Sequence, residues 1–226
     1  MPKKWLYGDA GDRIPVKFGD IWSVGDNLFS CGDIEQGAAQ SLLAWFGNIP
    51  DVFYSDPPWD KGNAKSFRTK AEMSRDVDFG KFLNIIARLT THTKSYAFVE
   101  MGIREFGNLK DSLLNYWPEI VGEYEINYYG NRPCRMAVVG EGFDYPDMNG
   151  VDDDKTPFLV AQAAWQKFGN DFYMFDPCIG RGIVAEAALS VGAKVIGNEL
   201  SNRRLAVTLD KVSNHLGVVP EKVGVL

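Results

Sequence analysis

The sequence has few of the residues on which metal sites and disulfide frameworks depend. Its 226 residues include three cysteines and two histidines. Cys31, Cys134 and Cys178 are odd in number and lack Cys-x-x-Cys spacing, and His92 and His215 lie near no other residue of ligand type. This pattern favours reduced thiols in a cytosolic protein and argues against a metal site, a disulfide scaffold or a histidine-based triad.

Long apolar runs and an excess of positive charge are also missing. No apolar segment reaches the roughly 20 residues that a membrane span needs, and the polar, glycine-rich start does not suit a secretory signal. We therefore expect a cytoplasmic protein with no membrane partner. The formal net charge is −6, so the overall basic charge that is common in nucleic-acid-binding proteins is absent. Hydrophobic residues make up 45% of the chain, which is typical of a globular domain with a sizeable core.

Charge is concentrated in two segments. A predicted basic loop at residues 60–78 contains Lys61, Lys65, Arg68, Lys70 and Arg75, and residues 140–155 form a short acidic insert. A locally basic loop can contact phosphates even on an acidic protein. The same composition also suits a solvated polar loop.

The order of predicted elements indicates an α/β fold. Strands are predicted at residues 27–31, 52–54, 95–100, 171–175 and 194–197, and helices at 35–46, 79–89, 109–115, 156–168, 183–191 and 202–216. Residues 123–129 and 135–139 predict an antiparallel hairpin. The alternation predicts a Rossmann-like, doubly wound, mostly parallel sheet with this hairpin at one edge. We predict a single domain over residues 1–226, in which residues 1–18 form an N-terminal arm.

A tetrapeptide, Asp56-Pro57-Pro58-Trp59, follows the apolar run at 52–54 and therefore lies where a buried strand would end. The prolines stiffen the turn at the end of the strand where open α/β sheets bind ligands. Its chemistry suits a planar group with an exocyclic amine. Asp56 and the Pro57 carbonyl would accept hydrogen bonds from the amine, and Trp59 would stack on the ring. A surface Asx-Pro turn is the alternative interpretation.

A glycine-rich turn follows the strand at 171–175. Gly180 and Gly182 would let the backbone pass close to a bound nucleoside. Glu199, at the end of the next strand, could hold two ribose hydroxyls. The third glycine of a dinucleotide fingerprint is absent, so an ordinary strand-to-helix turn is the alternative here.

Together the two turns resemble those of S-adenosylmethionine-dependent amino-group methyltransferases. Asp-Pro-Pro-Trp at 56–59 precedes Asp-Pro-x-x-Gly-x-Gly at 176–182, which is the permuted order of the beta group of DNA adenine-N6 and cytosine-N4 methyltransferases. Residues 19–25, 28–33 and 155–159 are also similar to bacterial and phage DNA modification methylases of this group. The resemblance implies a permuted class I methyltransferase fold, S-adenosylmethionine as cofactor, DNA as partner and no metal.

The resemblance also implies a role for each matching position. Asp56, Pro57, Pro58 and Trp59 would form the catalytic pocket for a flipped base. The cofactor would be bound by Asp33, Asp56, Thr156, Phe158, Asp176, Cys178, Gly180, Gly182 and Glu199. Nucleic acid would be bound by Lys61, Lys65, Arg68, Lys70 and Arg75. The family more often has Phe at the position of Cys178 and Tyr at that of Trp59.

The implied reaction is methylation of the N6 amine of adenine in DNA, since Asp at position 56 favours adenine by family resemblance. Trp59 and the acidic insert, which replaces a large target-recognition domain, also permit an RNA adenosine N6 methyltransferase. A cytosine N4 enzyme, a protein glutamine methyltransferase and a cofactor-binding subunit without activity are further alternatives. The sequence leaves open the recognition site, monomer against homodimer, and a role in restriction-modification.

Overall fold

The computed structural model describes residues 10–74, 76–128 and 132–226. Half of the predicted N-terminal arm, Arg75 and most of the hairpin turn therefore lie outside the described residues. Within these ranges, none of the helices has the length and apolar character that a membrane crossing requires.

The described residues form nine strands and eight α-helices. The strands are β1 (Asp20–Val24), β2 (Asn27–Cys31), β3 (Val52–Ser55), β4 (Ala97–Gly102), β5 (Gly122–Tyr128), β6 (Arg132–Val139), β7 (Tyr173–Asp176), β8 (Lys194–Glu199) and β9 (Glu221–Val225). The helices are α1 (Ala10–Arg13), α2 (Ala38–Phe46), α3 (Lys61–Lys70), α4 (Phe79–Leu89), α5 (Phe106–Leu114), α6 (Thr156–Phe168), α7 (Ile183–Ser190) and α8 (Asn202–Leu216).

All nine strands belong to one sheet, in the order β5-β6-β4-β3-β7-β8-β2-β1-β9. The five central strands, from β4 to β2, are parallel. The pair β5 and β6 is antiparallel, as the sequence predicts. The doubly wound α/β fold is thus confirmed, and it has antiparallel strands at both edges rather than one, because β1 and β9 extend the sheet beyond β2.

Helices cover both faces of this sheet. Adjacent strand residues point to opposite faces, so Tyr54 and Phe98 pack with α6, α7 and α8, whereas Phe53 and Val99 pack with α2, α4 and α5. The alternation buries large side chains on both sides of the central strands, as expected when a parallel sheet lies between helical layers. Because β2, β3, β7 and β8 are parallel, their carboxyl ends lie at the same end of the sheet.

Two parts of the sequence prediction need correction. Residues 60–78 are not a loop throughout, because α3 occupies 61–70. The Asp60 side chain starts this helix by accepting a hydrogen bond from the Asn63 amide at 2.7 Å. The strands β1 and β9 were not predicted; β9 is mostly exposed, so it carries little hydrophobic pattern.

The acidic insert lies along β5. The Asn127 amide donates to the Val151 carbonyl, and the Asp153 amide donates to the Asn127 carbonyl, each at 2.8 Å. These contacts bring the end of the insert, just before α6, close to the carboxyl ends of β3 and β4.

Candidate active site

A cleft runs along the carboxyl ends of β2, β3, β7 and β8. Its strand side is lined by Gly32, Asp33, Asp56, Pro58, Pro177, Cys178, Asn198, Glu199 and Leu200. Both motifs that the sequence singles out therefore reach one cavity, although about 120 residues separate them.

Buried Asn198 ties the strand ends of the cleft together. Its Oδ1 accepts a hydrogen bond from the Ser30 hydroxyl at 2.8 Å. Its Nδ2 donates to the carbonyls of Gly32, at 3.0 Å, and Pro177, at 3.1 Å. One amide thus fixes the turn after β7 against the turn after β2.

Close packing explains the glycines of the turn after β7. Gly180 and Gly182 have φ values of +59° and +84°, which L side chains rarely adopt. A Cβ would stand 2.5 Å from Arg204 Nη2 at Gly180 and 2.9 Å from Thr208 Cγ2 at Gly182. The glycines therefore let α8 approach the turn. Neither glycine is among the described residues that line the cavity.

Three buried acids lie at these strand ends, of which Asp33 and Glu199 line the cleft. Asp33 Oδ1 accepts a hydrogen bond from the Glu35 amide at 3.0 Å. Glu199 Oε1 accepts one from the Ser201 amide at 2.8 Å, and Arg204 Nε lies 3.8 Å from Glu199 Oε2. Burial raises the pKa of Glu199, and the Arg204 charge opposes this.

The third acid, Asp176, lies at the end of β7. Its Oδ1 accepts a hydrogen bond from the Cys178 amide at 2.8 Å. Burial raises the pKa of Asp176 to about 8, against the lowering effect of that hydrogen bond. Burial likewise raises the pKa of the Cys178 thiol. Cys178 therefore lines the cleft as a neutral thiol and is not a nucleophile.

Helix α3 forms the opposite wall of the cleft. Arg68 Nη1 lies 2.7 Å from Asp33 Oδ2 and 2.8 Å from Glu35 Oε2. The Arg204 guanidinium lies 4.6 Å from the centre of the Phe67 ring. The cavity has a volume of about 80 Å³, whereas pockets for drug-sized ligands hold roughly 300–1,000 Å³. These contacts therefore narrow the cleft.

The basic residues of α3 do not share one surface. Lys61, Lys65 and Lys70 are exposed, whereas Arg68 points into the cleft and is half-buried there. The structure therefore leaves three of the predicted nucleic-acid contacts exposed on α3 and places the fourth against the acids Asp33 and Glu35.

The aromatic side chain after β3 is held against Asp56. Trp59 Nε1 donates a hydrogen bond to Asp56 Oδ1 at 2.7 Å, and the Trp59 ring meets Tyr128 at a centroid distance of 4.4 Å and an angle of 63°. Gly102 leaves space for it, since a Cβ there would lie 3.1 Å from Trp59 Cβ. Trp59 is therefore positioned by three neighbouring strand ends.

A second group of acids lies beside Asp56. Oxygen atoms of Asp56, Glu100 and Asp153 all lie within 4.8 Å of one another. The Tyr54 hydroxyl and the Thr156 hydroxyl both contact Glu100 Oε1, the latter at 2.8 Å. Glu100 Oε2 is buried without a hydrogen-bond partner among the described residues.

The crowding of these acids raises their pKa values. Although Asp56 as a residue is open to solvent, protein atoms enclose its carboxyl group. This burial, with the nearby Asp153 charge, raises the pKa of Asp56 to about 6 against the lowering hydrogen bond from Trp59. Burial, followed by the Asp56 charge, raises the pKa of Glu100 well above its usual range. Three carboxyls at this spacing also have the geometry to ligate a cation.

Five predicted cofactor contacts are not among the described residues that line the cavity: Thr156, Phe158, Asp176, Gly180 and Gly182. Thr156 is fully buried, and its hydroxyl also donates to the Asp153 carbonyl at 2.8 Å. Phe158 is half-buried and packs against the core on the α6 face of the sheet. A role of any of these five residues in cofactor binding stays a prediction.

Sequence reasoning missed Tyr54, Glu100, Asp153 and Arg204. Glu100 did carry a signal, because an acid inside the apolar run Ala97–Met101 has to be paired or neutral when that strand is buried. Arg204 carried none, since only the packing of α8 brings it to the cleft.

The fold is that of class I methyltransferases, as the similar solved structures described below show. No protein-family model matches the chain, and no curated protein sequence matches it. Solved structures do share the fold. The structure of M1.HpyAVI is 12% identical, with a TM-score of 0.60 over 81% of this chain and 97% of that one.

Two further structures are similar to this one. One is a candidate DNA modification methylase of Thermus thermophilus, TTHA0409, solved with S-adenosyl-L-methionine. It is 12% identical with a TM-score of 0.56, over 83% of this chain and 93% of that one. The other is the PvuII DNA methyltransferase, which is cytosine-N4-specific. It is 8% identical with a TM-score of 0.55, over 89% of this chain and 95% of that one.

Proposed function

We propose that this protein transfers a methyl group from S-adenosylmethionine to the exocyclic N6 amine of adenine in DNA. The observation that carries the proposal is the shared cavity, in which Asp56 and Pro58 face the same space as Asp33 and Glu199. Structures of the same fold support it, because TTHA0409 and M1.HpyAVI were solved with S-adenosylmethionine.

The residues of the cleft fit a nucleoside cofactor. Glu199 and Asp33 offer acceptors at neighbouring strand ends, and Ile34, Val77 and Phe82 add apolar walls. Glu199 would hold the ribose, and Asp33 would approach the adenine ring. Because Arg68 occupies one oxygen of Asp33 and the cavity is small, α3 has to move outward when a cofactor binds. The bound cofactor would supply a methyl group activated on a positively charged sulfur.

The turn after β3 would prepare the amine. Asp56 and the Pro57 carbonyl accept its two hydrogens, which draws the nitrogen towards tetrahedral geometry and localises its lone pair. Most of the rate enhancement then comes from positioning and preorganised electrostatics. Asp56 would take up the proton that the amine loses as the nitrogen–carbon bond forms and the bond from the methyl group to the sulfonium sulfur breaks, which leaves a neutral thioether.

The target base has to leave the duplex or be single-stranded already. Stacking on Trp59 would return roughly 1–3 kcal/mol of the unstacking cost. The exposed side chains of Lys61, Lys65 and Lys70 on α3 would contact phosphates beside the vacated position. DNA is therefore the partner in this proposal, for the protein as a monomer or a homodimer.

Cytosine N4 is the second candidate target. The PvuII enzyme, named as cytosine-N4-specific, has the same fold, and the two acceptors of the turn suit either amine. We prefer adenine because of Asp56, the residue by which the family resemblance favours it.

Product analysis tests the proposal. The purified protein is incubated with isotopically labelled S-adenosylmethionine and unmethylated DNA, with single-stranded RNA in a parallel reaction, and the products are digested to nucleosides and weighed. Labelled N6-methyldeoxyadenosine is expected. Labelled N4-methyldeoxycytidine would establish the second candidate, and label in RNA alone would overturn DNA as the substrate.

A further inference from the structure

Glu100 is a buried acid that the proposed reaction does not use. It stands near the end of β4 and is 1% exposed. Two hydroxyls, from Tyr54 on β3 and Thr156 on α6, meet its Oε1, while its Oε2 has no hydrogen-bond partner in the described ranges. An ionised carboxylate with a bare, buried oxygen would be strongly disfavoured.

We propose that Glu100 is a positioning residue of the amine site, which keeps its own proton at neutral pH and so leaves Asp56 free to ionise and accept the target amine. The inference rests on the proposed function for the meaning of Asp56, but the protonation of Glu100 does not depend on it.

The groups that face Glu100 explain why it is the acid that stays neutral. Asp56 approaches from the turn after β3 and Asp153 from the end of the acidic insert, both within 4.8 Å. Cys134 on β6 is also near, and it is a buried thiol whose pKa is raised by burial and then by the Glu100 charge. Arg204 is a cation that lowers the pKa of Asp56. Around Glu100, burial and the neighbouring acids raise the pKa, and the opposing influences in the described part of the chain are two hydroxyl hydrogen bonds rather than a cation.

Neighbouring acids that compete for one proton titrate as a unit, and the less solvated member retains the proton. Here that member is Glu100, since it is 1% exposed and its Oε2 has no hydrogen-bond partner among the described residues, whereas Asp56 accepts the Trp59 N–H. If Glu100 ionised first, its negative charge would raise the pKa of Asp56 and keep Asp56 protonated. A protonated Asp56 would lose one acceptor for the amine.

Infrared spectroscopy tests the protonation directly and needs no activity. The wild-type protein at pH 7 should show carbonyl absorption from neutral carboxylic acids. The component from Glu100 should disappear in Glu100→Gln, whereas the component from Asp176 should remain. The Glu100 component should persist in Asp56→Asn and in Glu119→Gln, a matched control at an exposed site. A wild-type spectrum without a Glu100-dependent band would overturn the inference, even if methyl transfer is observed.

Kinetics test the effect on Asp56. The wild-type rate should rise as Asp56 ionises, near pH 6, and fall at alkaline pH when Glu100 loses its proton. Glu100→Gln keeps an acceptor for Tyr54 and Thr156 and stays neutral, so it should lose only a few-fold in kcat and lack the alkaline fall, whereas Glu100→Ala should lose roughly 100-fold.

An alkaline fall that persists unchanged in Glu100→Gln would contradict the inference. Circular dichroism of each variant establishes that the fold is intact. If the wild-type protein shows the neutral-acid band but methylates no nucleic acid, the proposed function fails while the protonation of Glu100 stands.

Discussion

Asp56 and Glu100 are acids at neighbouring strand ends to which the surroundings give different tasks. Asp56 opens to solvent and is held by Trp59, whereas Glu100 is buried on two hydroxyls. Environments that push the pKa values of two nearby acids apart are a common way of dividing chemical roles. Substitution of either residue tests this division of roles, and substitution of Asp56 tests the chemistry more directly.

Asp56→Ala should reduce methyl transfer by at least about 100-fold, since the amine loses its charged acceptor. Cofactor affinity, measured by calorimetry, should change little, because Asp33 and Glu199 remain. Asp111→Ala, on the exposed side of α5, serves as the matched control. A folded Asp56→Ala protein that no longer binds cofactor would contradict the role assigned to Asp56.

Glu199→Gln should weaken cofactor binding before it affects the chemical step. The amide oxygen can still accept from the Ser201 amide, so the local turn is retained while the charge that would hold the ribose hydroxyls is lost. Hydrogen bonds to charged groups are worth about 1.5–3 kcal/mol, so the dissociation constant should rise roughly 10-fold to 100-fold. An unchanged constant would remove Glu199 from the cofactor site.

Among the elements, α3 and the turn before α7 determine the shape of the cleft. Helix α3 closes it through Arg68 and Phe67. The turn before α7 fixes its floor, because the Thr208 hydroxyl donates to the Gly180 carbonyl at 3.1 Å. Helix α3 therefore narrows the cleft from one side, whereas the turn is held in place by α8.

Gly182→Ala should therefore destabilise the protein. The residue has φ +84°, and the new methyl group would collide with Thr208, so the free energy of unfolding should fall by about 1–3 kcal/mol. Gly107→Ala is the control, since nothing lies within 4 Å of its Cβ position in α5; there stability should rise by about 0.5–1 kcal/mol. Urea titration measures both. Equal effects would refute the packing explanation of the turn.

Over the whole molecule, acids are concentrated at the carboxyl ends of the parallel strands. Burial raises the pKa values of Asp56, Glu100, Asp176 and Glu199. The folded protein therefore binds protons more tightly at these positions than the unfolded chain does. An acid whose pKa is raised by folding lowers stability as pH increases between its unfolded and folded values.

Asp176 should make this pH dependence visible. Its pKa is about 8 in the folded protein and about 4 in the unfolded chain, so its destabilising effect develops as pH rises from about 4 to 8. Asp176→Asn keeps an acceptor for the Cys178 amide and cannot ionise. Its stability relative to wild type should thus increase across this interval, by a few kcal/mol.

Urea unfolding at several pH values measures the Asp176 effect. Asp144→Asn, at an exposed position in the acidic insert, should run parallel to wild type. If Asp176→Asn also runs parallel, Asp176 is ionised in the folded protein and the argument from burial is wrong. A remaining decline in the variant is expected from Glu100 and Glu199.

Several elements could be predicted because their periodicity is local. The helix at 79–89 and the strand at 27–31 match the structure at both ends. Helix α3 was missed because its buried positions are few and its sequence is polar. Strands β1 and β9 were missed because pairing, of β1 with β2 and of β9 with β1, rather than their own pattern, makes them strands.

The sequence alone determined the alternation of strands and helices and the position of two ligand-type turns at strand ends, since turn chemistry and hydrophobic period act over a few residues. Tertiary structure decided which side chains meet. It turned Arg68 inward, brought Arg204 to Glu199 and surrounded Asp56 with Glu100 and Asp153. Such contacts depend on how strands pair and helices pack across the chain, and the protonation of a buried acid depends on all of them together.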